Sequence, residues 1–205
     1  MTMSSRRGLS LFLEAAVRQP KLVGAVLPSS RDLGRQLTTV VPRSGRPTVV
    51  ELGPGSGAVS EVIAQRLPVE GKHFAVEINP DLAEHLRRTY PRMSVLCGDA
   101  GQLQPMLADA GVSQVDAVVS GLPWSLFDVE AQRRVLSQVC AALAPGGGFS
   151  TFAYRHATRL AGARRFRELL HACFDEVIVT RTVWRNLPPA LVYVCRRPLG
   201  GTADV

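Results

Sequence analysis

The chain has 205 residues, 46% of them hydrophobic, which suits one globular domain with a sizeable core and a small appendage; two domains would be a strain. Lys and Arg number 24 against 17 Asp and Glu, a formal net charge of +7 that favours an anionic partner without choosing among nucleic acid, acidic lipid or a charged small molecule. No apolar run approaches the roughly 18 residues of a bilayer span and no signal-peptide pattern opens the chain, so any membrane contact is expected to be peripheral.

The first segment with a pattern is SSRRGLSLFLEAAVRQP. Leu9, Phe12, Leu13, Ala16 and Val17 fall on one helical stripe, Ser10, Glu14 and Arg18 lie opposite, and Arg6 and Arg7 lead. Such a basic amphipathic helix suits either an anionic membrane surface or the mouth of its own domain's cleft. In the following QPKLVGAVLPSSRDLGRQL, Lys21 and Arg31 supply positive charge. Ser29 and Ser30 supply hydroxyls and amides at a helix start, which is either a phosphate seat or an ordinary N-cap.

From residue 47 the chain alternates. PTVVEL (47–52), KHFAVEI (72–78), MSVLC (93–97), VDAVVS (115–120) and GFSTFAY (148–154) read as strands. Between them lie helical patterns: Asn79 with Pro80 is a start signal, and a helix opening at Asp128 stops at Pro145 and its glycines. The last two strand patterns, FDEVIVTRTVW and ALVYVCRR, are separated by RNLPP alone, too short for a crossover helix, so they must pair antiparallel. The expected fold is α/β: a doubly wound, Rossmann-like seven-stranded sheet with a terminal antiparallel β-hairpin, plus N-terminal amphipathic helices. The expected divisions are an N-terminal lid or membrane-contact segment over 1–42, the α/β domain over 43–198 and a tail over 199–205.

In such a sheet ligands bind at the carboxyl ends of the strands. The first strand runs into VVELGPGSG, where Gly53, Gly55 and Gly57 permit close backbone approach. The third glycine comes one residue too early for a dinucleotide fingerprint, and no Gly-Lys-Ser/Thr triplet forms a nucleotide triphosphate loop. Glu51 at the mouth of the loop would repel pyrophosphate and attract a cation. Glu77 ends the second strand, where a carboxylate can accept from ribose hydroxyls or simply face water. Asp99, in CGDA after the third strand, could accept from an adenine amine or cap a helix, and Asp116 opens the fourth. A nucleoside with a free ribose and a cationic tail, as in S-adenosylmethionine, answers these groups together.

The histidines His73, His85 and His171 fall inside strands or helices and are expected at the surface, whereas His156, after the fifth strand, faces the presumed site. The four cysteines, Cys97, Cys140, Cys173 and Cys195, lack metal-ligand spacing; they read as structural thiols of a reducing cytoplasm, with no metal.

VVELGPGSG, AVEINP, CGDA, DAVVSGLPW and LAPGGGFSTF resemble, in order, the motifs of class I S-adenosylmethionine-dependent methyltransferases, over residues 47 to about 197. The resemblance implies S-adenosylmethionine as cofactor. It places Gly53, Gly55 and Gly57 around the methionine part, Glu51 near its ammonium, Glu77 on the ribose and Asp99 with Ala100 at the adenine; Ile78 and Ser120 complete the set. SGLPW is similar to the N-x-P-aromatic motif of adenine and glutamine N-methyltransferases, with Gly121 where that motif has Asn or Asp, which weakens a nucleobase substrate. Trp124 then either forms a cation–π wall for an alkylammonium or packs beneath the loop.

FLEAAVRQPKLVGAVLPSSRDLGRQL and VWRNLPPALVYVCRR, with VSGLPW between, resemble the soluble bacterial phospholipid N-methyltransferases. That resemblance implies methylation of phosphatidylethanolamine and its mono- and dimethyl forms towards phosphatidylcholine, at the inner face of an anionic membrane. It makes Pro28, Ser29, Ser30 and Arg31 substrate-side residues, with Tyr154, Arg185 and Asn186 as further candidates; by their own chemistry Lys21 joins the substrate side, and Trp124 and His156 join Tyr154 at the reacting centre. One departure is the tryptophan of SGLPW, where an aliphatic residue is expected. The alternatives are a small-molecule or natural-product N-methyltransferase, an RNA adenine N-methyltransferase and a non-catalytic cofactor-binding partner; no separate RNA-binding module is present, so nucleic acid is disfavoured.

Overall fold

The computed structural model describes residues 29–199. The amphipathic pattern over 4–20, Lys21, Pro28 and the last six residues lie outside them.

The elements alternate as the sequence pattern requires. In chain order they are α1 (Arg31–Leu37), β1 (Thr48–Leu52), α2 (Ala58–Arg66), β2 (Lys72–Glu77), α3 (Pro80–Thr89), β3 (Met93–Cys97) and α4 (Leu103–Asp109), followed by β4 (Val115–Ser120), α5 (Val129–Ala142), β5 (Leu143–Tyr154), α6 (Ala161–Cys173), β6 (Phe174–Val179) and β7 (Ala190–Pro198). One seven-stranded sheet has the order β3-β2-β1-β4-β5-β7-β6, parallel from β1 to β5, with β7 antiparallel to both β5 and β6. Strand order reverses between β1 and β4, which opens a crevice at their carboxyl ends.

Alternation along the strands sorts the helices onto two faces. Val50, Leu52, Phe74, Val76, Val118 and Phe149 join the core beneath α4, α5 and α6. Residues of the other parity, Val49, Ala117 and Val119, pack with Leu33, Leu37 and Ile63 of α1 and α2, while Ala75 and Val95 pack with Ala83 and Leu86 of α3. Burying a side chain such as Leu37 or Ile63 contributes about 1.5–3 kcal/mol.

The helix starts follow local chemistry. Asn79 Oδ1 accepts from the amides of Asp81 and Leu82 ahead of Pro80, and Asp128 accepts from Ala131 N. Ser30 caps α1 by accepting from Leu33 N at 3.2 Å.

Three expectations need correction. β5 begins at Leu143, not 148, because Pro145–Gly147 continues as a bulge: Val115 pairs with Leu143, but Ala117 already pairs with Gly148. His73 is buried; its place on β2 beside Val49 puts it under α2. Asp116 lies at the amino edge of the sheet, where it accepts from Thr48 N at 2.7 Å, far from any ligand at the carboxyl edge.

Candidate active site

The glycine loop is held at the carboxyl edge by two backbone ties and one from a side chain. Gly53 N donates to Val76 O and Gly121 N to Leu52 O, while Tyr90 Oη donates to Gly57 O at 2.9 Å. Gly57, at φ +87°, starts α2; a Cβ there would stand 2.5 Å from the Tyr90 ring, so neither the backbone angle nor the space admits a side chain.

Glu77 holds this loop in place. Its Oε2 accepts from Gly55 N at 3.2 Å and its Oε1 from Asn79 N at 2.9 Å, joining the loop to the end of β2, with Ile78 half-buried alongside. Burial pushes its carboxyl above the ordinary 4.5, against the pull of the amides of Asn79, Gly55 and Ile78, with the Glu51 charge pushing up further. Each oxygen keeps a lone pair for a further donor.

Glu51 corrects the expectation of a carboxylate at the mouth of the loop. It is buried beneath the loop, on the α2 face, where Oε2 accepts from Ser60 Oγ at 2.6 Å and lies 3.2 Å from His73 Nε2, not aligned as a hydrogen bond. A direct contact to a ligand ammonium therefore falls away, and what remains is a fixed acidic group under the loop.

Asp99 takes the capping geometry. Its Oδ1 accepts from Gly101 N at 2.8 Å and Oδ2 lies 3.4 Å from Arg134 of α5, with Ala100 buried behind. Gly101 is close under that arginine, where a Cβ would meet Arg134 Nε at 2.5 Å.

These residues fit S-adenosylmethionine on the chemistry of the groups. Glu77 and Asp99 are acceptors suited to ribose hydroxyls and an exocyclic amine, the loop 53–57 carries no basic side chain to favour pyrophosphate, and a Cβ built on Gly55 meets none of the described residues within 4 Å. Among the described residues the loop therefore has room at Gly55.

The residues expected on the acceptor side lie after β4 and β5. Ser120 is buried, and its Oγ accepts from Trp124 Nε1 at 3.0 Å and from Leu122 N at 3.3 Å. Trp124 is 2% exposed and stacks on Phe166 with 4.3 Å between ring centroids, flanked by Phe127 and Phe149. It is a pillar beneath the SGLPW loop and presents no face to an alkylammonium, so its placement at the reacting centre is corrected. Gln132 fixes the same loop, donating to Trp124 O and to Gly162 O. Gly121 follows from crowding, because a Cβ would lie 2.7 Å from Gly53 O.

At the end of β5, Tyr154 is partly buried and stacks on exposed His156 with centroids 5.8 Å apart. Burial raises the Tyr154 phenol above its ordinary value, so it stays protonated at neutral pH. Beside it a cavity of about 510 Å³ is lined by Arg155, His156, Thr158, Arg159, Pro189 and Leu191.

Of the substrate-side expectations, Ser30 and Asn186 come together, with Ser29 half-buried next to them in sequence. Asn186 is 3% exposed, accepts at Oδ1 from Ser30 N and donates from Nδ2 to Pro188 O. Buried in this way, it is a structural clamp between α1 and the β6–β7 connection. Arg31 points to Glu61 at 3.5 Å, and Arg185 is exposed with Asp32 3.9 Å away. Sequence reasoning missed Ser60, Tyr90, Gln132 and Arg134, since residues on or just past a helix that reach across to another element leave no local pattern.

A 3-2-1-4-5-7-6 sheet with β7 reversed, carrying this glycine loop and strand-end carboxylate, is the framework of a class I S-adenosylmethionine-dependent methyltransferase, and the chain belongs to that family. Residues 49–147 match the family model described as a methyltransferase domain. The chain is 35% identical over 189 residues to an ornithine lipid N-methyltransferase of Singulisphaera acidiphila, covering 91% of this chain and 94% of that one. A ribosomal RNA small subunit methyltransferase A of Polaromonas is 30% identical over 139 residues, covering 62% of this chain and only 39% of the relative. The solved O-methyltransferase of Bacillus cereus in complex with SAH shares the fold at a TM-score of 0.67 and 18% identity, over 96% of this chain and 93% of that one.

Proposed function

We propose that the enzyme methylates the amine of a membrane-lipid headgroup. The observation that carries this is the correspondence, over nearly the whole of both chains, with an ornithine lipid N-methyltransferase. The ribosomal RNA relatives share a shorter region, and Gly121, which has no side chain to hold a base, argues further against a nucleobase.

S-adenosylmethionine supplies an electrophilic methyl group on a sulfonium. The chain's own residues do the rest by positioning. Glu77 and the glycine loop hold the donor at the β1–β4 crevice, with Asp99 and Ala100 at the adenine, and Ile78 and Ser120 as walls. The Trp124 pillar keeps the loop after β4 rigid beneath the acceptor. An amine attacks only as its neutral form, so an ammonium must first lose a proton; Tyr154, protonated, can orient the amine but cannot take that proton. His156, stacked on Tyr154 and open to water, passes it to solvent.

An ornithine-type headgroup is the first acceptor, its anionic carboxylate matched by Arg155 and Arg159 around the cavity. Phosphatidylethanolamine, the acceptor implied by the sequence resemblance, is the second, with its phosphate meeting the same arginines. Labelled S-adenosylmethionine should be offered with phosphatidylglycerol vesicles containing ornithine lipid, phosphatidylethanolamine or neither, beside free ornithine, free ethanolamine and ribosomal RNA. Label entering a vesicle amine is the expected result, and the two lipids rank the acceptors. Label confined to RNA or a free amine, or no transfer at all, overturns the proposal.

A further inference from the structure

The connection from β6 to β7 has a buried underside and an apolar outer side. Val183 N donates to Ala190 O at 2.7 Å, Asn186 N donates to Val183 O, and the Asn186 side chain bonds both Pro188 O and Ser30 N. Val183 and Asn186 are thus anchored inward. Opposite them Trp184 is 66% and Leu187 64% exposed.

The surroundings of that pair are basic. The Arg155 guanidinium lies 5.4 Å from the centre of the Trp184 ring and also donates to Thr182 Oγ1 at 3.3 Å. Arg181 and Arg185 are exposed, and Arg185 has Asp32 nearby, too far away and too solvated to cancel its charge. Pro189, two residues past Leu187, lines the arginine cavity beside Tyr154. A tryptophan and a leucine held towards water among arginines match a bilayer's interfacial zone, where an indole sits at headgroup depth and arginines meet acidic headgroups. Charge alone would suit RNA equally; the fixed apolar pair favours lipid.

We propose that residues 181–187 dock the enzyme onto an anionic bilayer, with Trp184 and Leu187 entering at headgroup level and Arg155, Arg181 and Arg185 against acidic headgroups, so that a lipid leaves the membrane beside the acceptor cavity. This rests on the lipid-acceptor reading for the presence of a membrane, but its test needs no turnover.

The chain has two tryptophans, and Trp124 is buried, so an emission change at a surface reports Trp184. The full chain should be mixed with phosphatidylglycerol vesicles, with phosphatidylcholine vesicles, and with each carrying brominated acyl chains; none contains an amine to methylate. The expected result is a blue shift and bromine quenching with the acidic vesicles alone, absent in Trp184→Phe. The pair Trp184→Ala and Leu187→Ser should weaken vesicle affinity about ten-fold or more, while affinity for S-adenosylhomocysteine, measured as a check on folding, stays unchanged. Emission that does not move with acidic vesicles overturns the proposal, whether or not the protein sediments with them. A shift that follows protein concentration without vesicles overturns it in favour of a second copy, and one that follows added RNA in favour of RNA. Quenching without lipid methylation would leave the docking surface standing and remove the lipid acceptor; methylation of detergent-dispersed lipid without quenching would do the reverse.

Discussion

The amide of Ser30 donates to Asn186 Oδ1 at 2.9 Å, joining the start of α1 to the β6–β7 connection across 156 positions of sequence. Because Asn186 also satisfies Pro188 O, Asn186→Ala removes partners from two backbone groups at once. The expected cost is about 1–3 kcal/mol, read as a lower urea midpoint with an unchanged slope. Asn186→Asp should not rescue, since it keeps the acceptor, loses the donor and buries a charge.

Glu77 gives a pH dependence with a defined sign. Its folded pKa is raised above 4.5 chiefly by burial, so between 4.5 and that raised value the folded chain binds more protons than the unfolded one. This group's contribution to stability therefore falls as pH rises through that window. Donor affinity runs the other way, because the ionised carboxylate is the better acceptor of hydroxyls. Calorimetry with S-adenosylhomocysteine should show binding weakening on acidification already above pH 4.5. Glu77→Gln should bind about 10- to 100-fold more weakly, the loss of a charged hydrogen bond, with that pH dependence gone.

Two glycines distinguish crowding from mere flexibility. A Cβ on Gly121 would be 2.7 Å from Gly53 O, a backbone atom that can move only with the donor loop, whereas one on Gly146 meets none of the described residues within 4 Å. Gly121→Ala is expected to cost about 1–3 kcal/mol by overpacking and to raise the donor dissociation constant in titration. Gly146→Ala should stay within about 0.5 kcal/mol of the parent in thermal melts.

How much of this was legible depends on how far each residue's partner lies along the chain. Asn79–Pro80 and Asp128 mark helix starts by bonds spanning two or three residues, and the short RNLPP link forces the final hairpin; both were readable. The glycine loop and Glu77 were readable as a pair because β-α-β spacing brings them to one edge. Glu51 was misplaced because strand parity, which puts it under α2 with Ser60 and His73, follows from the sheet register. Trp124 was left open between two roles, and only the positions of Phe166, 42 residues on, and Ser120 decide for the buried one. The role of Asn186 was invisible, since its partner Ser30 lies at the far end of the chain.

The cysteines separate by environment, and this gives a labelling test of the donor site. Burial pushes Cys195 up to about 12, with Cys173 adding to it, and the bond with Cys173 and burial raise Cys140 further. In the folded chain neither supplies appreciable thiolate at neutral pH. Cys173 is lowered by its bond with Cys140 but is half-buried against the core. Cys97 is exposed at the end of β3, paired in register with Glu77 and two residues before Asp99. Aromatic disulfide reagent at neutral pH should therefore modify Cys97 first, Cys173 more slowly, and Cys140 and Cys195 only on unfolding. Because Cys97 is paired in register with Glu77 and lies two residues before Asp99, the carboxylates proposed for ribose and adenine, saturating S-adenosylhomocysteine should slow its modification at least several-fold and leave Cys173 unaffected. Equal rates for Cys97 with and without the nucleoside would remove the donor from the edge formed by Glu77 and Asp99.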